Sequence, residues 1–346
     1  MKEGLGQEYY IGANTARGFV NYAPELFDGL RKVYIIKGGP GTGKSTMMKR
    51  VAAAAEAQGM TVDRFVCSSD GDSLDGIRIR ELSVGMTDGT TPHVMEPLYP
   101  GTRDELIDPG AYWDSEALSD DFEEIRGMVD GKAVLFSSAY QHLAACASLR
   151  SERNRLLAAC TDGEKLDRAA ARLIKRLGEG KGFRLLARQV GSLGMKGRRF
   201  LDTYETMAEE RWLISDSRGL RGLLLERMTA HAAKAGLAVM ISRDPVNQPE
   251  ALYFPEAAVC VSGRGDAETA HKILNTERFL LRESLASERG KLRFLARMEG
   301  ELEARVAELF REIEDVHFAL EGRYAEAMDY AGVDAMTADL IRKLGL

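Results

Sequence analysis

Two textures of apolar and polar positions alternate along the chain. Short solid apolar runs, such as Val33, Tyr34, Ile35 and Ile36, predict parallel strands buried on both faces. The segment "KSTMMKRVAAAAEAQG" that follows is rich in helix formers and stops at Gly59, which predicts a helix with a glycine C-cap. Leu82 to Met86 predicts a further core strand, and "VDRFVCSSDGDSLDG" a strand ending in Asp70, Asp72 and Asp75. From Ser115 to Gln189 and from Asp266 to Leu320 prolines are few and apolar residues recur near every 3.6 positions. There "LSDDFEEIRGMVDGKAVLF" and "ETAHKILNTERFLLRESLASERGKLRFLARM" predict long amphipathic helices, paired as hairpin arms on two α/β cores.

Between the first strand and the first helix stands "GGPGTGKST", Gly38 to Thr46. Gly38, Gly39, Gly41 and Gly43, with Pro40 and Thr42 between them, let backbone amides converge on an anion, and the opening helix adds its positive dipole end. Lys44 can reach the β- and γ-phosphates of a nucleotide, Ser45 can offer its hydroxyl to Mg²⁺, and Thr46 is a supporting contact. Asp88, at the end of a neighbouring strand, is the expected carboxylate on the Mg²⁺ side. Asp70, Asp72 and Asp75 can polarise a water, act as base toward a substrate hydroxyl, or help hold the metal; the turn chemistry of Asp-Gly explains them equally well. The local "DGD" is similar to one in small-molecule kinases that phosphorylate a sulfate nucleotide. His93 is a candidate sensor of the γ-phosphate or a structural histidine, and Arg78, Arg80 and Arg103 are candidates to neutralise transition-state charge.

The second half repeats the first. Gly12 and Gly18 fall against Gly191 and Gly197, Ile36 against Ile214, and Gly41 against Gly219. At those positions Gly38 is replaced by Asp216, Gly43 by Arg221, Lys44 by Gly222, Ser45 by Leu223 and Asp88 by Gly263. Scaffold survives while charge-handling residues are lost, which predicts one working site and one degenerate copy.

Charge refines this picture more by distribution than by total. The formal charge is -6, yet Arg150 to Arg199 holds 14 Lys and Arg against 5 acids, a net of +9. Glu299 to Glu326 holds 9 acids against 3 Lys and Arg, a net of -6. Pairing of the two blocks within the chain, or plain solvation, is favoured over a nucleic-acid partner. The four cysteines, Cys67, Cys146, Cys160 and Cys260, stand singly and read as reduced thiols. No apolar run is long enough for a membrane span and "MKEGLGQEYY" lacks the apolar core of a secretory signal, so no membrane insertion and a cytoplasmic location are expected.

In the order "GANTARGF", "KGGPGTGKSTMMK", "CSSDGDSLDG", "DGTTPH" and "EGRYAEAMDYAGVD", the chain resembles a family of uncharacterised bacterial tandem P-loop ATPases, nearly end to end. The resemblance implies two P-loop domains and ATP binding, and supports Gly38 to Thr46 with Asp70, Asp72 and Asp88 as site residues. Members usually keep a recognisable P-loop in the second half, where this chain departs. Asn14, Thr15 and Arg17 are candidate contacts to base or phosphate.

The expected architecture is therefore two tandem P-loop-type three-layer cores with mostly parallel sheets: a core over 1–114, a helical arm over 115–188, a degenerate core over 189–265 and a second arm over 266–346. The expected function is Mg²⁺-dependent ATP binding and hydrolysis, with a protein partner reached through the arms. No guanine-reading NKxD pattern and no LSGGQ signature appears. A small-molecule kinase using Asp70 or Asp72 as base, and a nucleotide-gated switch with negligible hydrolysis, are the alternatives.

Overall fold

The apolar run around Val33 forms a central strand, and the first half of the chain is arranged round it. The computed structural model describes residues 6–346. Its first half comprises β1 (Glu8–Tyr10), β2 (Gly12–Thr15), β3 (Gly18–Asn21), α1 (Ala23–Leu26), β4 (Lys32–Ile36), α2 (Lys44–Ala57), β5 (Val62–Val66), β6 (Leu74–Ile79), β7 (Val84–Asp88), β8 (Asp104–Ile107), α3 (Ser115–Asp120) and α4 (Phe122–Ala159). The second comprises α5 (Gly163–Leu177), β9 (Leu185–Ala187), β10 (Gly191–Gly194), β11 (Gly197–Phe200), α6 (Thr203–Met207), β12 (Glu210–Ser215), α7 (Arg221–Lys234), β13 (Val239–Arg243), β14 (Pro249–Phe254), β15 (Val259–Ser262), β16 (Lys272–Asn275), α8 (Arg282–Glu326) and α9 (Tyr330–Leu344).

The two six-stranded sheets have one topology. In the first the order is β1-β5-β6-β7-β4-β8, and in the second the same order returns as β9-β13-β14-β15-β12-β16. All strands are parallel except β6 and β14, each antiparallel to both its neighbours. β6 departs from expectation, because the polar and small residues Asp75, Gly76 and Arg78 break its apolar alternation. A turn in which Ser73 Oγ donates to Asp70 Oδ2 at 2.6 Å reverses the chain, so Asp75 lies within β6 and not in the acidic loop.

Reciprocal contacts relate the halves by an approximate two-fold. Ala16 N donates to Pro245 O at 2.8 Å, and its counterpart Met195 N to Ser69 O at 2.9 Å. Asp162 N donates to Phe279 O while Asp329 N donates to Tyr112 O; Leu281 N donates to Cys160 O while Asp114 N donates to Ala327 O, each at 2.8 to 2.9 Å. These last counterparts stand 167 positions apart throughout, so residue numbers convert directly between α4 and α8.

The expected helical arms are arranged differently. α4 and α8 do not form separate hairpins on separate cores; they pair with each other, antiparallel, with Arg323 against Glu124 at one end and Arg150 against Glu299 at the other. At 38 residues, α4 spans about 57 Å. Nor are the remaining parts of 115–188 and 266–346 free helical arms: Lys272–Asn275, inside a segment expected to be helical, is instead strand β16 beside β12, Leu185–Ala187 is strand β9 beside β13, α5 packs on α7 and α9 crosses back onto α2. The apolar stripes of α4 and α8 meet each other through Leu143, Val306 and Phe310, those of α5 and α9 meet the second and the first core, and single-segment periodicity cannot reveal such pairings. Part of the basic and acidic blocks pairs within the chain, through Arg150 and Arg153 with Glu299, and Lys196 with Glu314.

Nor is each core three-layered by itself. One face of the first sheet packs Tyr34, Ile36, Ile77 and Met86 against Met47, Met48 and Val51 of α2 and Val333 and Leu340 of α9. On the opposite face Ile11, Phe27, Val33, Ile35 and Phe65 join Val190, Tyr204, Ala251 and Tyr253 of the second half in a single cluster. The halves thus share an apolar core. No helix among the described residues is long and apolar enough to cross a membrane.

Candidate functional site

Parallel pairing of β4 with β7 sets Ile36 opposite Asp88, so the strand that enters the glycine loop and the strand that ends in a carboxylate open on one sheet edge. The loop turns into α2 at Gly43, whose φ of 77° is closed to most side chains. Lys44 Nζ folds back into it, donating to Gly38 O at 2.8 Å and Gly39 O at 2.6 Å, and stands 3.6 Å from Asp88 Oδ2. Both side chains are largely buried. Thr42 Oγ1 donates to Gly39 O and stiffens the loop, while Ser45 Oγ accepts from Leu74 N at 2.9 Å. Asp88 Oδ1 accepts from Thr90 N and Thr90 Oγ1, which orients the carboxyl and leaves Oδ2 facing Lys44. Burial, helped by Asp75, lifts the Asp88 carboxyl above its ordinary value despite Lys44.

Asp75 belongs to this site more closely than Asp70 or Asp72. Gly76 pairs with Thr87 across β6 and β7, so the preceding Asp75 stands across from Asp88. Burial alone would raise Asp75, but His93, a hydrogen bond from Cys67 and the charge of Lys44 outweigh it and hold the carboxyl low. His93 Nε2 lies 2.9 Å from Asp75 Oδ2, and its raised pKa reflects that carboxylate overcoming burial. Cys67, Asp75 and His93 bring sulfur, oxygen and nitrogen atoms within 4.8 Å of one another. The thiol's pKa is driven up, first by burial and then by Asp75, so Cys67 is here a neutral donor. The sequence signal for this trio was weak, because its members come from three separate segments.

The other acids are tied elsewhere. Asp70 holds its own turn through Ser73 Oγ and Asp72 N. Asp72 is exposed and bound to Arg199 of β11 at 2.8 Å, while Lys49 Nζ donates to its carbonyl. Neither meets Asp88. Arg78 and Arg80 both clamp the fully buried Asp63, and Arg103 binds Asp104, so the three arginines are engaged in structural ion pairs. Asn14 is buried and donates to Leu193 O of the second half while accepting from Tyr140, so it builds the joint between halves, whereas Thr15 Oγ1 donates to Gly18 O within its own hairpin.

The glycine loop is roofed by the far end of the chain. A β-carbon on Gly41, whose φ is +72°, would stand 2.6 Å from Glu321 O and 3.0 Å from Ala325 N of α8. Tyr330 Oη of α9 donates to Gly41 O at 2.7 Å, and Trp113 and Tyr324 flank Gly39. A cavity of about 490 Å³ lies at the opposite edge of the sheet, lined by Gly6, Glu56, Arg64 and Thr203, away from these charges.

In the second half the same loop holds an anion of its own. Asp216, at the position of Gly38, accepts from Gly219 N at 3.0 Å, Arg221 N at 2.7 Å and Thr276 Oγ1 at 3.0 Å. Those amides overcome burial and keep its carboxyl below the ordinary range. Arg221 lies over Gly263, where the first half has Asp88. No protein-family model, curated protein or solved structure matches this chain.

Proposed function

We propose that the chain binds and hydrolyses ATP with Mg²⁺ at one P-loop site, Gly38 to Thr46, and that its second half is a non-catalytic copy. The observation that carries this reading is the contrast between the two loops. Where the second brings an aspartate onto its own amides, the first has Gly38, which brings no side chain, and adds Lys44 and Asp88. A loop whose twin accommodates a carboxylate on its amides suits an external phosphate.

Ser45 Oγ and Asp88 Oδ2 are hard oxygen donors of the kind Mg²⁺ takes, so the residues fit the ion. Bound Mg²⁺ would neutralise charge on the phosphate oxygens. Lys44, released from Gly38 O and Gly39 O, would pair with the β- and γ-phosphates, and the loop amides would hold the anion in place. The His93–Asp75 pair would position Asp88 from across the sheet. Asp70 and Asp72, engaged with Ser73 and Arg199, give the kinase alternative little support. Contact of α8 and α9 with Gly41 favours coupling of nucleotide state to the helical pair, the property of a switch.

Calorimetric titration of ATP with Mg²⁺ into the wild type and Lys44→Ala, followed by ADP release, tests the proposal. One site per chain, weakened at least tenfold in the variant, is expected. Two sites, or affinity indifferent to Lys44, would refute it.

A further inference from the structure

The antiparallel pair of α4 and α8 passes over both loops, with Gly219 under Arg153 and Leu157 of α4 as Gly41 lies under Glu321 and Tyr324 of α8. Over the second loop the pair is internally neutralised. Arg150 of α4 binds Glu299 and Glu303 of α8 and Asp244, and Arg153 also reaches the buried Glu299. The spacing of 167 positions gives the counterparts over the first loop: Arg150 becomes His317, Glu299 becomes Lys132 and Glu303 becomes Phe136. A carboxylate has been exchanged for an ammonium, so the first loop faces two basic groups where the second faces an ion pair.

Register places both groups at the roof. His317 stands one turn before Glu321 on the α8 face that meets Gly41. Lys132 lies on α4 between Glu124, which meets Arg323, and Phe136, which meets Phe310, and so falls beside His317. Glu321 and Asp70 are the acids nearby. Both groups are half-buried, and burial first, then the mutual repulsion of Lys132, His317 and Lys44, lowers the His317 pKa. Basic groups crowded in this way are stabilised by an anion.

We propose that Lys132 and His317 form a second wall of the phosphate site and bind the polyphosphate of the nucleotide from the side of the helical pair. The wall rests on the ATP reading. It makes the paired helices direct ligand contacts, so that each state of the phosphate chain sets how α8 sits on Gly41.

The test is calorimetric titration of ATP, ADP and inorganic triphosphate, each with Mg²⁺, into the full chain. The variants are Lys132→Ala, His317→Ala and the double variant Lys132→Glu/His317→Arg, which installs the ion pair of the second half. Each single variant is expected to lose about tenfold in affinity for ATP and triphosphate, and the double variant more, with its thermal midpoint kept. Wild-type affinity in both single variants overturns the wall; if Lys44→Ala still abolishes binding, the ATP reading survives. Binding of triphosphate but not ATP, sensitive to Lys132, keeps the wall and overturns ATP. Binding of neither overturns both.

Discussion

Tyr10 and Gln189 are counterparts in the two halves, and they pair with each other in an antiparallel bridge, with Tyr10 N donating to Gln189 O at 2.8 Å. An antiparallel bridge between equivalent positions, with the reciprocal contacts on either side of it, is the mark of a two-fold axis, so the chain is built as a pseudo-dimer within one polypeptide. Its interface is apolar core, not a wet joint between domains, and cooperative unfolding follows.

Tyr204, fully buried in the shared cluster and stacked beside Tyr253, tests that point. Tyr204→Ala is expected to cost about 3 to 5 kcal/mol and to lower the midpoint of one calorimetric transition. Two separate transitions, with only the second half shifted, would contradict the single core.

Asp216 offers a cleaner separation of stability from function. Asp216→Ala removes the acceptor of three loop amides, those of Arg218, Gly219 and Arg221, and of the Thr276 hydroxyl, and should cost about 1 to 3 kcal/mol in denaturant titration. Nucleotide stoichiometry and affinity should stay at wild-type values. A change in either would give the second loop a part in binding.

Much of this was legible in the sequence, and the omissions have physical causes. The run Val33 to Ile36 and the helix start at Lys44 follow from local apolar patterning and glycine placement and form as expected, while the strand expected over Leu82 to Met86 forms two residues later, as Val84–Asp88, with Asp88 as its last residue. The exchange of Gly38 for Asp216 signalled a changed loop, though not that the carboxylate would sit on the loop's own amides. What local pattern could not show is where amphipathic helices find partners. α9 reads as an appendage, yet its Val333 and Leu340 complete the first core nearly 300 residues away from α2. The Asp75–His93 pair was hidden for the same reason, as its members meet only when β6 folds back along β7.

Gly41 makes the roof testable. Gly41→Ala meets both a positive φ and the α8 backbone, whereas Gly59→Ala meets a φ of +78° with nothing within 4 Å. The strain of a left-handed alanine alone is about 1 kcal/mol. Gly41→Ala should therefore destabilise clearly more than Gly59→Ala and weaken ATP binding, read by denaturant midpoint and titration. Equal losses at the two sites would mean that α8 gives way without cost.

Acid stability should be governed in part by Asp63. Burial would raise its carboxyl, but hydrogen bonds and charge from Arg80 and Arg78, with Gln7 N, hold it below the ordinary value. A carboxylate depressed in the folded state contributes stability that is fully present above its unfolded pKa of about 4, and that contribution is lost as pH falls through the folded value. At pH 7, Asp63→Asn should cost about 3 kcal/mol by leaving two arginines facing an amide. Below pH 4 the wild type loses the same interaction by protonation, so the gap between wild type and variant should narrow as pH falls. Urea titrations of both proteins across this range would reveal it, and a gap constant from pH 7 to pH 3 would show that the two arginines do not set the charge state of Asp63.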